Sequence, residues 1–287
     1  MATFKEIKKR INAVVTTRKT TSAMKMVASS KLRKAEHILI DLVHYSEALR
    51  HIMDELLTKD FINPLSYERP LKNVAIIALS SDSSLCGAYN SNVARELHKT
   101  IEKYKQTLDV DHIHVYTIGK KVFEFTKKSG ITVAKNFVSL AGKTDYNTIA
   151  DFASSLMSQF ENKELDRIDL IYHHFKSAGT QELINIQLLP VKIPDKGKRA
   201  HHFAEYILEP SHKSLLKSII PTNIKTQLYM ALLDSNASEH VARMIAMQTA
   251  SDNADDLVSG LTIVYNKSRQ QAITNELLDL IGGRTQQ

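Results

Sequence analysis

The sequence predicts an α/β protein, in which a long antiparallel coiled coil of N- and C-terminal helices carries an inserted Rossmann-like α/β domain. All six prolines lie between Pro64 and Pro221, so both ends of the 287-residue chain lack helix breakers. Small and apolar residues at both ends recur in steps of four and three, which is the repeat of a coiled-coil seam. Between the ends, apolar runs alternate with amphipathic patterns, as in a mainly parallel sheet covered by helices.

Residues 3–57 are predicted to form one helix. Its seam positions are Ile7, Ile11, Val14, Arg18, Thr21, Met24, Ala28, Leu32, Ala35, Leu39, Leu42, Tyr45, Leu49, Ile52 and Leu56. Only Arg18 interrupts the small and apolar character of this series. Such a helix would be roughly 80 Å long. Because propensity alone does not hold so long a helix in water, it needs a partner helix along its seam.

The C-terminal arm is the predicted partner, since residues 222–281 contain no proline and a single glycine, Gly260. Its seam positions are Met247, Ser251, Ala254, Val258, Leu261, Tyr265, Ser268 and Ala272. Small seam residues let two helices approach closely, and we expect Met24, Met26, Met244 and Met247 to fill the gaps. The arm is longer than the first helix, so antiparallel pairing predicts a single-helix tip that overhangs by roughly 25 Å.

The middle of the chain predicts the inserted sheet domain. The predicted strands are 73–80, 112–118, 131–134, 168–175 and 182–189, and the predicted helices are 90–105, a short one from Lys120, and 146–162. Ser91 or Asn92 is the expected cap of the first of these helices. A basic loop, 195–199, follows the last strand. The predicted division is therefore an N-terminal helix at 1–60, an α/β domain at 70–205 and a C-terminal helix at 210–287.

The positive charge is concentrated near the N-terminus. The net charge is +7, and a segment with ten basic residues and one acid, Glu6, lies between Lys5 and Lys34. We call this set the basic stripe: Lys5, Lys8, Lys9, Arg10, Arg18, Lys19, Lys25, Lys31, Arg33 and Lys34. Such a stripe favours an acidic partner, which is nucleic acid, anionic lipid or acidic protein loops. A solvated helix face is the alternative.

No catalytic constellation stands out in the sequence. Gly142-Lys143-Thr144 resembles the end of a phosphate-binding loop, but Phe137 occupies the position that needs a glycine. Cys86, the single cysteine, is expected to be packed rather than reactive and excludes an internal disulfide. The pairs His173-His174 and His201-His202 are poor metal sites, because neighbouring strand residues point to opposite faces. No apolar run approaches the roughly 20 residues of a membrane span. We therefore expect no cofactor and no metal.

Both ends of the chain resemble the gamma subunit of the F-type ATP synthase. The resemblance lies in residues 5–11 and 20–34 of the first helix and in residues 238–253 and 265–276 of the last. Near the C-terminus Ile273, Thr274, Glu276, Asp279 and Gly283 match the family signature, with Arg284 in place of an alanine. In the loop after the first strand, Ser83-Ser84 replace Arg-Gly and Ala88 replaces a glycine.

The resemblance implies a rotor rather than an enzyme. The helical pair would turn inside the alpha3-beta3 catalytic ring, and the globular domain would stand on the membrane c-ring beside the epsilon subunit. The expected contact residues are Met24, Lys25, Arg33, Arg243, Arg269, Gln270, Thr274 and Glu276. Those from Arg269 to Glu276 would touch the ring near the tip. Arg243 and the basic stripe, which includes Arg33, would face acidic loops of the beta subunits, and Met24 and Lys25 would lie in the shaft–lever contact region.

The family also implies a place in the cell, which is the cytoplasmic face of the bacterial inner membrane as a peripheral protein. Two other classes remain open from the residues alone. A basic coiled-coil protein that binds nucleic acid would explain the basic stripe and predicts salt-dependent binding to DNA or RNA. An α/β enzyme with helical arms would need a ligand site at the strand ends.

Overall fold

The described part of the chain forms two long helices, three shorter helices and one five-stranded sheet. The computed structural model describes residues 4–56, 63–138, 140–142, 145–177, 180–192, 209 and 211–284. The helices are α1 (Phe4–Leu56), α2 (Tyr89–Lys105), α3 (Lys120–Lys128), α4 (Tyr146–Glu161) and α5 (His212–Arg284). The strands are β1 (Val74–Leu79), β2 (Ile113–Ile118), β3 (Val133–Phe137), β4 (Arg167–Ser177) and β5 (Thr180–Leu189).

The chain divides into two compact units, one made of Met1–Ser29 with Arg243–Gln287 and the other of Ser30–Ala242. In the first unit, α1 and α5 run antiparallel. Phe4 packs on Tyr265, Arg18 pairs with Asp255 and Thr21 meets Ser251, so positions that rise along α1 fall along α5. This confirms the predicted antiparallel pairing of the two ends.

The sheet of the second unit has the order β3-β2-β1-β4-β5. Its first four strands are parallel neighbours, and β5 pairs antiparallel with β4. Every side chain of β1 is buried. Because both faces of the sheet are covered there, the strand is apolar throughout rather than alternating. The predicted α/β insertion with a mainly parallel sheet is therefore confirmed.

Two apolar cores lie on opposite faces of the sheet. On one face Ala75, Ile77 and Leu79 join a core built with residues of α1, α4 and α5. On the other face Val74, Ile76 and Ala78 join a smaller core with residues of α2 and α3. The α5 residues of the first core step by about one helical turn, and they are Leu216, Ile220, Ile224, Leu228, Ala231 and Leu232. The same helix thus supplies a wide apolar face to the sheet and a narrow seam to α1.

Pro221 lies inside α5, within the range 210–287 that was predicted as the C-terminal helix. Proline removes one backbone donor and crowds the carbonyls of the preceding turn. The hydroxyl of Thr222 donates to the carbonyl of Ser218 at 2.9 Å, a side-chain bond within the same turn. The helix continues through the proline, and its apolar contacts with the sheet on both sides of it favour that continuation.

Two local predictions need correction, one on the seam of α1 and one on a helix cap. Tyr45 and Ile52 are exposed, and Met53 is buried instead of its neighbour Ile52. At this end α1 packs on the sheet core through Met53 and Leu56, so the apolar face leaves the strict seam positions. Helix α2 begins at Tyr89 after Ala88, which has no side-chain cap, so Ser91 and Asn92 lie inside the helix. The predicted loop 195–199 and the pair His201-His202 lie outside the described residues.

Gly119 fixes the turn between β2 and α3. Its φ is +97°, and a Cβ atom there would come within 2.2 Å of the Ser80 carbonyl oxygen. The first turn of α3 is capped from the β1 end instead of from its own residues. Asp82 Oδ1 accepts the N–H of Lys120 at 3.0 Å, and Ser80 Oγ accepts the N–H of Val122 at 3.0 Å. These bonds use the donors that a phosphate would need at this helix N-terminus.

Candidate contact surface of the helical pair

The seam of the first unit agrees with the predicted one. On α5 Met247 and Ala254 are buried, and Ser251, Val258, Leu261, Tyr265, Ser268 and Ala272 are half-buried. Between Asp252 and Gln271, every residue of α5 outside this series is exposed. On α1 Ile7, Thr21 and Ala28 are buried at predicted seam positions. Met26 does not fill a seam gap as expected, because it lies off the series and is 70% exposed.

Polar contacts also cross this seam. Arg18 Nη1 donates to Asp255 Oδ1 at 2.5 Å, with both side chains largely exposed. The hydroxyls of Thr21 and Ser251 meet at 2.7 Å. Arg18 is the one charged residue among the predicted seam positions of α1. Its guanidinium extends to a carboxylate of α5. Sequence reasoning missed Asp255, and its only signal was an acid placed one residue after the seam residue Ala254.

The basic stripe is a surface of α1. Eight of its ten residues are exposed, and Arg18 and Lys25 are half-buried. Within the described part of the chain, Arg18 is the stripe residue that forms an ion pair. Among the described residues the other nine charges have no ion-pair partner, which leaves a positive surface available to another molecule.

The predicted contact residues fall in four places. Met24 is a half-buried seam residue of α1 with the half-buried Lys25 next to it, and Arg243 is half-buried on α5 at the start of its stretch in the first unit. Arg33 is exposed on α1 and belongs to the second unit.

The other four predicted residues lie past Tyr265, where α5 continues to Arg284. Arg269, Gln270, Thr274 and Glu276 are all exposed. Arg269 and Glu276 are seven positions apart, so they share one helix face. Thr274 lies one turn after Gln270 and donates its hydroxyl to the Gln270 carbonyl at 2.9 Å. The structure therefore brings these four together on one short stretch of helix.

Large apolar side chains are exposed along the same helix, on the sides that do not meet α1. Ile263 is 71% exposed, and Leu257, Val264, Ile273, Leu277 and Leu278 are each at least 44% exposed. A soluble helix normally turns such residues toward a core. Their arrangement together with the basic stripe is typical of a surface that another protein covers.

In the second unit α5 is fixed to the sheet by polar contacts. Tyr89 of α2 stacks on His173 with ring centroids 4.3 Å apart, and its hydroxyl donates to the Ser235 carbonyl at 2.9 Å. His174 Nδ1 lies 2.7 Å from Asp234 Oδ2. Burial raises the pKa of Asp234. His174 thus contacts α5 directly, and His173 contacts it through Tyr89 and through its own carbonyl, which accepts the hydroxyl of Ser238 at 3.2 Å.

The crevice at the carboxyl ends of the parallel strands is where Rossmann-type folds bind ligands. Here the backbone donors after β1 and β2 are used by Asp82 and Ser80, and Tyr89 and Ser235 lie against the end of β4. Cys86 is buried and 3.1 Å from Asn90 Nδ2. Among the described residues no group of histidine, cysteine and acidic side chains could hold a metal ion. Lys143 and Thr144 lie outside the described residues.

No described helix combines the length and the hydrophobicity that crossing a membrane requires. Relatives of the chain were found along its whole length. The family model described as ATP synthase matches residues 3–285. The ATP synthase gamma chain of Bacteroides fragilis is 47% identical over 288 residues, with 99% of each chain covered. The gamma chain of Trichlorobacter lovleyi is 38% identical, with 99% of this chain and 98% of the relative covered.

Solved structures show the same fold at low identity. The rotor of the mitochondrial ATP synthase of Euglena gracilis aligns with a TM-score of 0.67 and 16% identity, covering 94% of this chain and 98% of that chain. The central stalk and c-ring structure of the Tetrahymena thermophila enzyme aligns with a TM-score of 0.62 and 23% identity, covering 81% and 99%. From the family match, the identities and their coverage, the chain belongs to the F-type ATP synthase gamma-chain family.

Proposed function

We propose that this chain is the non-catalytic central-stalk rotor subunit of an F-type ATP synthase, which transmits torque between the membrane c-ring and the catalytic beta subunits. Family membership supports this role, and one structural observation carries it. The helix pair of the first unit buries a single narrow seam and leaves its apolar and basic outer surface unpaired in the described chain. A surface of that kind requires a surrounding partner. Nothing observed favours the alternative of a nucleic-acid-binding protein.

The mechanism follows from the asymmetry of the pair. The basic stripe lies on α1, and the exposed apolar residues of the pair are mainly on α5. Such an object cannot touch three like neighbours equally, so at each angle it favours a different conformation in each beta subunit. Rotation passes these conformations around the ring and couples torque to nucleotide affinity. Outward lysines and arginines attract acidic loops over a distance, and this contact does not require interlocking that would block rotation.

We assign contacts by region. Arg269, Gln270, Thr274 and Glu276 would touch the ring near the tip, Met24 and Lys25 would meet the beta-subunit levers, and Arg33 and Arg243 would face acidic loops. The epsilon subunit and the c-ring would bind the globular part. The relatives place the chain in a membrane-associated ATP synthase complex, and we propose the cytoplasmic face of a bacterial inner membrane. The functional parts would be residues 1–60, 70–205 and 210–287.

A disulfide at the tip tests rotation. Glu276→Cys would be combined with a cysteine at the facing position of a ring subunit in the assembled complex. The native Cys86 is 2% exposed, so it should not compete for oxidation. Oxidation should stop ATP turnover, and reductant should restore it.

The control for this experiment is Glu276→Cys alone, which should keep full turnover under oxidant. If the crosslinked complex turned over at the normal rate, the tip would not rotate against the ring. The assembly itself is a simpler check. The chain should co-purify with a large ATPase, and a chain that binds DNA instead would contradict the proposal.

A further inference from the structure

The second unit contains a cavity of about 530 Å³ that is lined by none of the predicted contact residues. It lies between α2 and the β4–β5 pair, and Tyr104, Arg167, Asp169, Asn185 and Gln187 are among its lining residues. Arg167 is opposite Val74, the first residue of β1, so the cavity is at the amino ends of the parallel strands. The usual ligand position of this fold is at the other end. The volume is in the range of sites that hold small molecules.

A buried carboxylate organises the floor of the cavity. Asp169 is 3% exposed, and both of its oxygens accept hydrogen bonds. Tyr104 donates its hydroxyl to Oδ2 at 2.5 Å, and Arg167 donates Nε–H to Oδ1 at 2.9 Å. Burial is the main cause that raises the pKa of Tyr104, so this phenol stays protonated and keeps donating. Asp169 is therefore a fixed orienting group.

Arg167 is held in a position suited to binding an oxyanion. Its Nε is used by Asp169, and its side chain remains 33% exposed. Among the described residues neither terminal guanidinium nitrogen has a hydrogen-bond partner. A guanidinium held through Nε presents its remaining N–H groups as a planar fork, which matches a carboxylate or phosphate with two parallel hydrogen bonds.

The charged residues that line the cavity balance, with Lys99, Lys103 and Arg167 against Glu96, Glu102 and Asp169. Their pairing decides which cations are left to meet an anion. Glu96 lies 3.6 Å from Lys99, and Glu102 lies 2.8 Å from Lys105, so both rim carboxylates have cations of their own. Lys103 also lines the cavity and has no ion pair in the described chain. Glu68 does not line the cavity, but its carboxylate is close enough for its charge to act on Arg167.

The polar wall opposite the charge offers acceptors. Asn185 Nδ2 donates to Thr100 Oγ1 at 3.0 Å, and Gln187 Nε2 donates to the Pro190 carbonyl at 2.7 Å. Each bond uses one of the two hydrogens on its amide nitrogen, so each residue keeps one N–H to donate and its amide oxygen to accept. Hydroxyl groups are the donors that fit such a wall.

We propose that this cavity binds a small hydroxylated anion, a sugar phosphate or a hydroxycarboxylate. The anionic group lies on the Arg167 fork near Lys103, and the hydroxyls donate to Asn185 and Gln187. A ligand seated between α2 and the edge of the sheet stabilises the second unit, since it binds the folded state and not the unfolded one. This makes the stability of the globular part sensitive to the concentration of one metabolite class.

The test is isothermal titration of the full-length chain with ribose 5-phosphate, citrate and inorganic phosphate. One of the two organic probes should bind saturably and more tightly than inorganic phosphate, and which one binds identifies the anionic group. Arg167→Lys keeps a cation beside Asp169 but loses the fork, so it should weaken that binding at least about tenfold. The matched control is Arg95→Gln, an exposed arginine of α2 outside the cavity lining. It should bind as the unaltered chain does.

A second variant, at a different residue, shows whether weaker binding by Arg167→Lys could come from a folding defect. Lys103 is exposed, so Lys103→Gln should leave the melting temperature unchanged and weaken the binding of the anion severalfold. The proposal is overturned if none of the three probes binds saturably. It is also overturned if Arg167→Lys and Lys103→Gln bind as tightly as the unaltered chain. Neither result bears on the rotor function, because the assay contains no other subunit.

Discussion

His173 shows how a single buried group can make the fold sensitive to acid. Its side chain is 3% exposed, and Nδ1 has no hydrogen-bond partner among the described residues. Burial lowers its pKa from 6.5 to about 4. Between these values the unfolded chain binds a proton that the folded chain does not. The free energy of unfolding therefore falls as the pH is lowered from 6.5 toward 4, and this contribution is fully present above pH 6.5.

We predict that His173→Phe removes much of this acid sensitivity. Phenylalanine keeps a ring for stacking on Tyr89 and leaves no buried nitrogen without a partner. Between pH 7 and pH 4.5 the variant should lose roughly 2 kcal/mol less stability than the unaltered chain. Urea unfolding at both pH values measures this.

His98, an exposed residue of α2, gives the control, since His98→Phe should keep the original acid dependence. Asp234, whose pKa burial raises, acts in the opposite direction but is present in all three proteins. Equal pH dependence in His173→Phe and the unaltered chain would show that His173 is not the titrating group.

At the scale of the elements, periodicity predicted most of the structure. The series from Ile7 to Leu42 and from Met247 to Ala272 is buried or half-buried throughout. The prediction failed at Ile52, because its apolar neighbour Met53 could occupy the buried position equally well. The sheet core decides between them, and that core is formed by residues distant in sequence.

The close approach of the two helices can be tested at one seam position. Ala28 is 2% exposed, so Ala28→Leu should force α1 and α5 apart and cost about 1–3 kcal/mol. Ala23 is exposed on the same helix, and Ala23→Leu should change stability by less than about 0.5 kcal/mol. Thermal unfolding followed by circular dichroism compares the two. Equal melting temperatures would mean that the seam has room for a larger side chain.

At the scale of the whole molecule, sequence and structure together define which surfaces of this chain are open to partners. They do not define which of its residues the partners contact. The net charge of +7 is concentrated on α1, and the exposed leucines and isoleucines of α5 have no partner in the described chain. Composition predicted that an acidic partner exists. The contact residues themselves came from resemblance to the family, because a contact depends on the geometry of the partner as well as on this chain.

Reversing one charge separates contact from folding. Arg33 and Arg50 are both exposed on α1, but only Arg33 belongs to the basic stripe. Arg33→Glu should weaken attraction to acidic loops and lower ATP-driven ion transport about two- to fivefold, the effect of losing one exposed charge contact. Its melting temperature in the isolated chain should not change, since Arg33 has no ion pair in the described structure. Arg50→Glu should leave transport intact.

Because the attraction is screened by salt, raising the ionic strength should narrow the difference in transport rate between Arg33→Glu and the unaltered complex. A loss of transport that is equal in both variants and independent of salt would contradict a role for the basic stripe in coupling.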